Sequence, residues 1–327
     1  MSQSKRTNHA INDVTMNNMD SWHRVKGKQM VTKKMKSHGK IANMGVVHVI
    51  PLVFILCFIM EGVSMAAGKG VDISLIRVSD LSACHGSVVI LDARPRKVWQ
   101  ASHIPGSLSF SWETYTRTDS RGIPYQLLPP DQLANALGTM GIDATTQVVI
   151  YGDADKSWGG EGWAAWVLAW LGHTGKIRIL DGGVQEWKAM GRAFESGEPG
   201  EHILPKTYGY HLRDYLRVST EMIQKNPSSY QIVDTRSLLE WIRGRIPGAK
   251  RIEWGHFFTG SQRRPISPDA MRRILVDNGI DPARPVVYVC AGGIRSGYAW
   301  MVHQLAGLPS AMNDVEGMAA WDKLPYR

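Results

Sequence analysis

Val286-Val287-Tyr288-Val289-Cys290-Ala291-Gly292-Gly293-Ile294-Arg295-Ser296 begins as a four-residue β-branched and aromatic run, breaks at two glycines and continues into a helical pattern from Tyr298 to Leu305. A short apolar run, a glycine-containing turn and a helix start are the parts of a buried strand feeding a crossover helix. Backbone N–H groups converge inside such a turn, and the helix dipole adds partial positive charge, so it is built to hold an anion. Cys290 opens the turn and Arg295 closes it. A thiolate, or an anionic group carried on the sulfur, would meet several donors and a full positive charge. Read without the rest of the chain, Cys290 could equally be a buried structural cysteine at a strand end.

Working outward, the chain contains this unit's surroundings twice. Leu91-Asp92-Ala93-Arg94 matches Val233-Asp234-Thr235-Arg236, and His103-Ile104-Pro105-Gly106-Ser107 matches Arg245-Ile246-Pro247-Gly248-Ala249. Pro130-Asp131 and Gly141-Ile142-Asp143 match Pro268-Asp269 and Gly279-Ile280-Asp281, and the tails pair Gly183 and Trp187 with Gly317 and Trp321. Repeats of a little over a hundred residues (about the modal domain size) are two domains rather than turns of a solenoid. Strands are expected at Val88–Leu91, Val148–Tyr151 and Ile177–Leu180 in the first, and at Tyr230–Val233 and Val286–Val289 in the second. Helices are expected at Leu127–Met140, Trp163–Leu171, Ser267–Asn278 and Ser296–Ala306. This alternation predicts an α/β fold with parallel sheets covered by helices. The organisation is a leader over 1–66, a first domain over 67–195, a linker over 196–215 and a second domain over 216–327.

Four residues separate Cys290 from Arg295. Cysteine phosphatases place five there, usually with histidine before the cysteine, whereas Val289 stands here; the shorter loop suits one sulfur atom better than a tetrahedral phosphate. The pattern Cys290-x-x-Gly293-x-Arg295-Ser296 resembles the active-site loop of the rhodanese sulfurtransferases. Trp99-x-x-x-His103-Ile104-Pro105-Gly106-Ser107-x-x-Phe110 and Leu180-Asp181-Gly182-Gly183-Val184-x-Glu186-Trp187 resemble the two signatures of that family. The resemblance runs from about Leu75 to Trp321, departing at Arg245 and at Val315-Glu316-Gly317-Met318. It implies two tandem rhodanese-like domains with the active site near their interface.

The resemblance also implies an activity: Cys290 attacks the outer sulfur of thiosulfate or a similar small anionic donor, holds it as a persulfide, and passes it to a thiol or cyanide. Ala291, Gly292, Gly293, Ile294 and Ser296 would form the binding loop, Arg295 would orient the donor or brace the loop, and Asp234 and Arg236 would tie the loop in place. The glycines would let the backbone approach the sulfur. 3-Mercaptopyruvate is the alternative donor. A non-catalytic persulfide carrier, and a cysteine phosphatase or arsenate reductase, are the other readings of the same thiol.

Aligning the halves sets Gly152 opposite Cys290 and Glu161 opposite Arg295. The first domain's loop is about four residues longer, lacks the thiol and carries an acid whose charge would repel an anion. That domain is expected to be catalytically silent, a wall of the cleft. Asp153, Asp155 and Glu161 are read as solvated carboxylates rather than a metal site.

Three cysteines without a Cys-x-x-Cys disfavour zinc ribbons and thioredoxin-like pairs, so no metal or cofactor is expected beyond the persulfide. His103 and His303 read as structural. The formal charge of +9 dissolves on inspection: residues up to Ala66 hold nine Lys/Arg and three Asp/Glu, leaving 29 minus 26, or +3, which argues against nucleic acid as a partner. Arg243, Arg245, Lys250, Arg251, Arg263 and Arg264 could draw anions toward Cys290. Val46–Met60 followed by Ser64-Met65-Ala66 has the pattern of a signal peptide cleaved after Ala66, predicting a periplasmic or secreted protein, with an uncleaved anchor as the alternative. Membrane contact is expected only through that segment. Cys84 and Cys290 are not expected to pair readily, and the oligomeric state is left open.

Overall fold

The computed structural model describes residues 70–83, 88–198, 203–309 and 311–323. The segment expected to be a leader, its expected cleavage site, Cys57 and Cys84 lie outside them. The first domain contains strands β1 (Ile73–Ile76), β2 (Val89–Asp92), β3 (Leu108–Ser109), β4 (Thr116–Arg117), β5 (Gln126–Leu127), β6 (Val148–Tyr151) and β7 (Ile177–Leu180). Its helices are α1 (Val78–Ala83), α2 (Arg96–Ala101), α3 (Trp112–Tyr115), α4 (Pro130–Thr139), α5 (Gly160–Trp170) and α6 (Gly183–Ala189). In the second domain the strands are β8 (Arg217–Val218), β9 (Gln231–Asp234), β10 (Lys250–Arg251), β11 (Phe258–Thr259), β12 (Arg264–Pro265), β13 (Val286–Val289) and β14 (Ala311–Asp314). The helices there are α7 (Thr220–Lys225), α8 (Leu238–Arg243), α9 (Pro268–Asp277), α10 (Ile294–Leu305) and α11 (Gly317–Trp321).

Each domain holds a five-stranded parallel sheet, and the two have the same order: β1-β7-β6-β2-β3 and β8-β14-β13-β9-β10. The duplication read from the sequence is therefore complete in three dimensions, β6 standing where β13 stands and α5 where α10 stands. Alternation along each central strand sorts side chains to two faces. Val148 and Ile150, like Val286 and Tyr288, join a large core that runs through both domains, while Val149 and Tyr151, and Val287 and Val289, face smaller clusters on the far sides.

The shared core is organised by α5 and α10. Every residue of α5 is buried, as expected of a helix apolar all round. The helices approach closely because Gly162 lies against the Tyr298 backbone and Gly297 against that of Trp163. Ion pairs add to the seam: Arg263 with Asp155 at 3.0 Å, and Arg264 with Asp181 and, at 2.9 Å, with Glu186. The connecting segment is packed down: Lys206 N–H donates to Gly138 O at 2.9 Å, His211 N–H to Leu171 O at 3.0 Å, and Tyr208 is buried.

Candidate active site

The end of β13 is pinned before Cys290 begins. Thr235 donates to Val289 O through its backbone N–H at 2.8 Å and its hydroxyl at 3.0 Å. The loop then turns over Gly293, whose φ of +89° is a left-handed conformation glycine adopts without strain. Its carbonyls are bonded outside the turn: Met318 N–H donates to Cys290 O at 2.9 Å, Ala319 N–H to Ala291 O at 3.0 Å, and the Asn313 amide to Gly293 O at 3.0 Å. The sulfur receives the Gly293 N–H at 3.1 Å and the Ser296 hydroxyl at 3.3 Å. Gly317, at φ +59°, lets α11 rest on the Cys290 and Ala291 carbonyls, so the departure at Val315–Met318 leaves the last turn intact.

Cys290 is 1% exposed yet lies on a cavity of about 280 Å³. Ala291, Gly292, Ile294, Arg295 and Glu240 line it from the second domain; Trp112, Tyr125 and Trp158 line it from the first. The expectation that the first domain walls the cleft is met by three aromatic side chains. Two come from strained backbone, Tyr125 at φ +63° and Trp158 at φ +57°.

Several sequence expectations change. Arg295 does not present a free charge: both terminal nitrogens bind the Glu240 carboxylate, at 2.8 and 2.7 Å, and its guanidinium lies 5.4 Å from the centre of the Trp158 ring. Burial alone would lower its pKa; the Glu240 bonds and the charges of Cys290, Glu240 and Asp234 outweigh burial and raise it. The Arg295 hydrogen bonds in turn draw Glu240 down to about 2, against the opposing effect of burial. Glu240 also closes a capping box with Ser237 at the start of α8.

Asp234 and Arg236 do not bond the Cys290 loop. They bond each other at 2.7 Å, and Arg236 donates to Gly244 O at 2.6 Å, anchoring both ends of the segment that carries Glu240. Asp92 and Arg94 repeat this, with Arg94 donating to Ser102 O at 2.7 Å, so the brace serves the fold of either half. Gly292 is required for a different reason than expected: a methyl there would overlap Tyr125. In the basic cluster, Arg263 and Arg264 are the interdomain ion pairs, Arg251 pairs with Glu253, and none of the six lines the cavity. His103 and His303 are buried and hydrogen-bonded, as expected of structural residues.

The corresponding loop of the first domain keeps the frame. Gly152 follows β6, Gly159 at φ +76° takes the place of Gly293, and Val184 N–H donates to Gly152 O at 2.9 Å. Glu161 and Asp153 are buried there, where solvated carboxylates were expected. The Glu161 carboxyl occupies the space that a side chain at position 152 would need. Burial first, then the charges of Asp153 and Asp92, push it up to about 8, so it is largely uncharged at neutral pH. The space that the cysteine side chain takes in the second domain is filled here by a carboxyl. No group of three or more potential metal ligands occurs among the described residues.

A duplicated α/β sheet, with a cysteine on the turn of one copy and a filled turn in the other, defines a two-domain protein with one chemically equipped half. The chain belongs to the rhodanese-like domain family, which matches residues 78–190 and 219–324. It is 26% identical to the 3-mercaptopyruvate sulfurtransferase of Mus musculus over 62% of this chain and 70% of that one. It is 25% identical to the thiosulfate sulfurtransferase of Pseudomonas aeruginosa over 77% and 94% of the two chains. Its fold superimposes on a 3-mercaptopyruvate sulfotransferase from Escherichia coli with a TM-score of 0.65, at 20% identity, covering 74% of this chain and 97% of that one.

Proposed function

We propose that the protein is a sulfurtransferase working through a persulfide on Cys290. The observation that carries this is the sulfur itself, held at a cavity floor by an amide and a hydroxyl, on a loop whose carbonyls are bonded elsewhere. With thiosulfate, the Cys290 thiolate attacks the outer sulfur; the S–S bond of the donor breaks, sulfite leaves with both electrons, and Cys290–S–S⁻ remains. The Gly293 N–H and Ser296 hydroxyl, together with the start of α10, stabilise the negative charge as it moves outward by one atom. Arg295 acts as a brace, fixing Glu240 and the cavity wall, and contributes a screened positive charge. Its engagement by Glu240 also weighs against a phosphatase, which needs those donors free for the oxyanion.

Thiosulfate and 3-mercaptopyruvate are the two donors that the relatives' activities suggest. Incubation with each, followed by intact mass measurement, should show a gain of about 32 Da, one sulfur in the chemistry of cysteine oxidation states. Cys290→Ser should show none. A gain retained in that variant would refute the assignment. Turnover with cyanide distinguishes an enzyme from a persulfide carrier, which would load but discharge slowly. The export proposal, resting on Val46–Met60 and Ser64–Ala66, is tested by N-terminal sequencing from the native host: a mature chain still beginning at Met1 or Met35 would contradict it.

A further inference from the structure

The cavity is larger than a small inorganic ion needs. Its full charges, Arg295 and Glu240, are paired with each other, and the lining from the first domain is all aromatic. A volume of about 280 Å³ exceeds what cyanide or thiosulfate requires and approaches the size of pockets that take organic ligands. Trp112 spends its indole N–H on Ser157 O at 3.3 Å, and its ring meets Tyr125 edge-on at 5.9 Å. Trp158 remains 51% exposed and Tyr125 38% exposed. Exposed aromatics on backbone with positive φ, in residues other than glycine, are costly to keep; both stand where they face the thiol's cavity.

A cation is a weaker match than a neutral ring. The guanidinium of Arg295 already takes the cation position near Trp158. Trp158 is also stacked on Trp254 at 6.5 Å, so what the walls offer an incoming molecule is the exposed remainder of Trp158 and Tyr125 beside Trp112, an apolar surface suited to a flat, uncharged body whose reactive atom reaches down to Cys290.

Resting on the sulfur-transfer reading above, we infer that the physiological acceptor is an organic thiol with a planar, apolar body, of the benzyl or heteroarylmethyl class, gripped by Trp112, Tyr125 and Trp158. The transfer balances as R–SH plus Cys290–S–S⁻ giving R–S–SH plus Cys290–S⁻. The acceptor sulfur bonds to the outer sulfur, the Cys290 S–S bond breaks, its electron pair returns to Cys290, and the acceptor's proton ends on the new persulfide. No external oxidant or reductant enters.

The test loads the protein with thiosulfate, removes excess donor, and follows discharge by benzyl thiol and by 2-mercaptoethanol, two thiols of similar basicity, with intact mass as the readout. Aromatic packing of one ring predicts that benzyl thiol discharges the persulfide about tenfold faster at equal subsaturating concentration. Trp158→Leu should bring the two rates within about threefold of each other. Normal loading with equal wild-type rates overturns the inference and leaves sulfur transfer standing. Failure to load from any donor overturns the sulfur-transfer reading and the acceptor role with it. Should Trp158→Leu fail to fold, the wild-type rate ratio decides alone. As a readout independent of turnover, benzyl alcohol should quench tryptophan fluorescence of Cys290→Ser protein saturably, and absence of binding overturns the aromatic slot.

Discussion

Glu240→Gln separates the two roles that the ion pair combines. The substitution keeps the side chain's shape and removes its charge, leaving Arg295, whose side chain is 9% exposed, beside Cys290 without a counterion. Exposed ion pairs contribute about 0–1 kcal/mol, and breaking a fully buried one costs about 3–5. Glu240 is 33% exposed, so the discounted cost lies between these, at about 2 kcal/mol. For a chain of this size that lowers Tm by about 4–8 °C. Donor capture should move the other way. A guanidinium released a few ångströms from an incoming dianion, discounted for the open side of the cleft, gains on the order of 1–2 kcal/mol, about tenfold in kcat/KM for thiosulfate. The assay is a thermal melt together with thiosulfate kinetics at low and high salt, where the gain should shrink with screening. A folded variant with unchanged Tm would show that the pair does not stabilise the fold. An unchanged or lower kcat/KM for thiosulfate would refute the view that Glu240 masks Arg295.

Gly292→Ala should drive a methyl into Tyr125 and destabilise the protein by about 1–3 kcal/mol, as overpacking does, and Tyr125→Gly in the same chain should restore the melt, since its φ of +63° suits glycine. One glycine inserted after Gly293 should slow persulfide formation and admit larger oxyanions; unchanged transfer in the folded variant would show that loop size is not the discriminator. Burial raises Glu161 to about 8 and Asp314 to about 7, so the folded state binds more protons than the unfolded chain above the ordinary carboxylate range. Their contribution is full below about pH 4 and is lost as pH rises toward 7–8, with a slope of up to about 1.4 kcal/mol per pH unit for each group. Glu161→Gln should remove its share of that slope in denaturant melts; an identical pH profile would mean that the carboxyl is ionised in the fold. Glu240 has the opposite sign: its pair stabilises above the ordinary carboxylate range and is lost as pH falls toward 2.

The central strands and the longer helices were legible in the chain. The strands at Val148–Tyr151, Ile177–Leu180 and Val286–Val289 coincide with the expected bounds because each is a short apolar run, broken only by Arg178 in the second. The helix expected from Leu127 starts instead at Pro130, where proline occupies the first turn and the preceding residues pair as a hairpin. That Gly293 and Ser296 meet the Cys290 sulfur was legible because the three lie within seven consecutive residues. Glu240 was missed although its signal was present: Ser237-x-x-Glu240 is a capping-box pattern before an apolar run, and such a residue faces back toward the strand ends. Trp112, Tyr125 and Trp158 carry no local signal. They become site residues only because α5 and α10 bring the first domain onto the second, a tertiary event that neither periodicity nor spacing records.

The duplication places the thiol in one half and its aromatic surroundings in the other. Both halves keep the strand end, the left-handed glycine and the helix that rests on the loop carbonyls. The difference is the eight residues from Gly152 to Gly159 where the second domain has four, Cys290 to Gly293. The longer loop cannot close on a single atom, and Glu161 fills the space it leaves. Yet the extra length is what carries Trp158 out to the Arg295 guanidinium and lets Ser157 O hold the Trp112 indole over the other half's cavity. The loop that lacks the thiol is thus the one that supplies Trp158 to the aromatic wall and holds Trp112 in it. A first domain that kept the short loop would have a second cradle, but its partner's cysteine would lie under an open, more solvated cleft, where a persulfide is exposed to any small nucleophile rather than to an acceptor selected by shape.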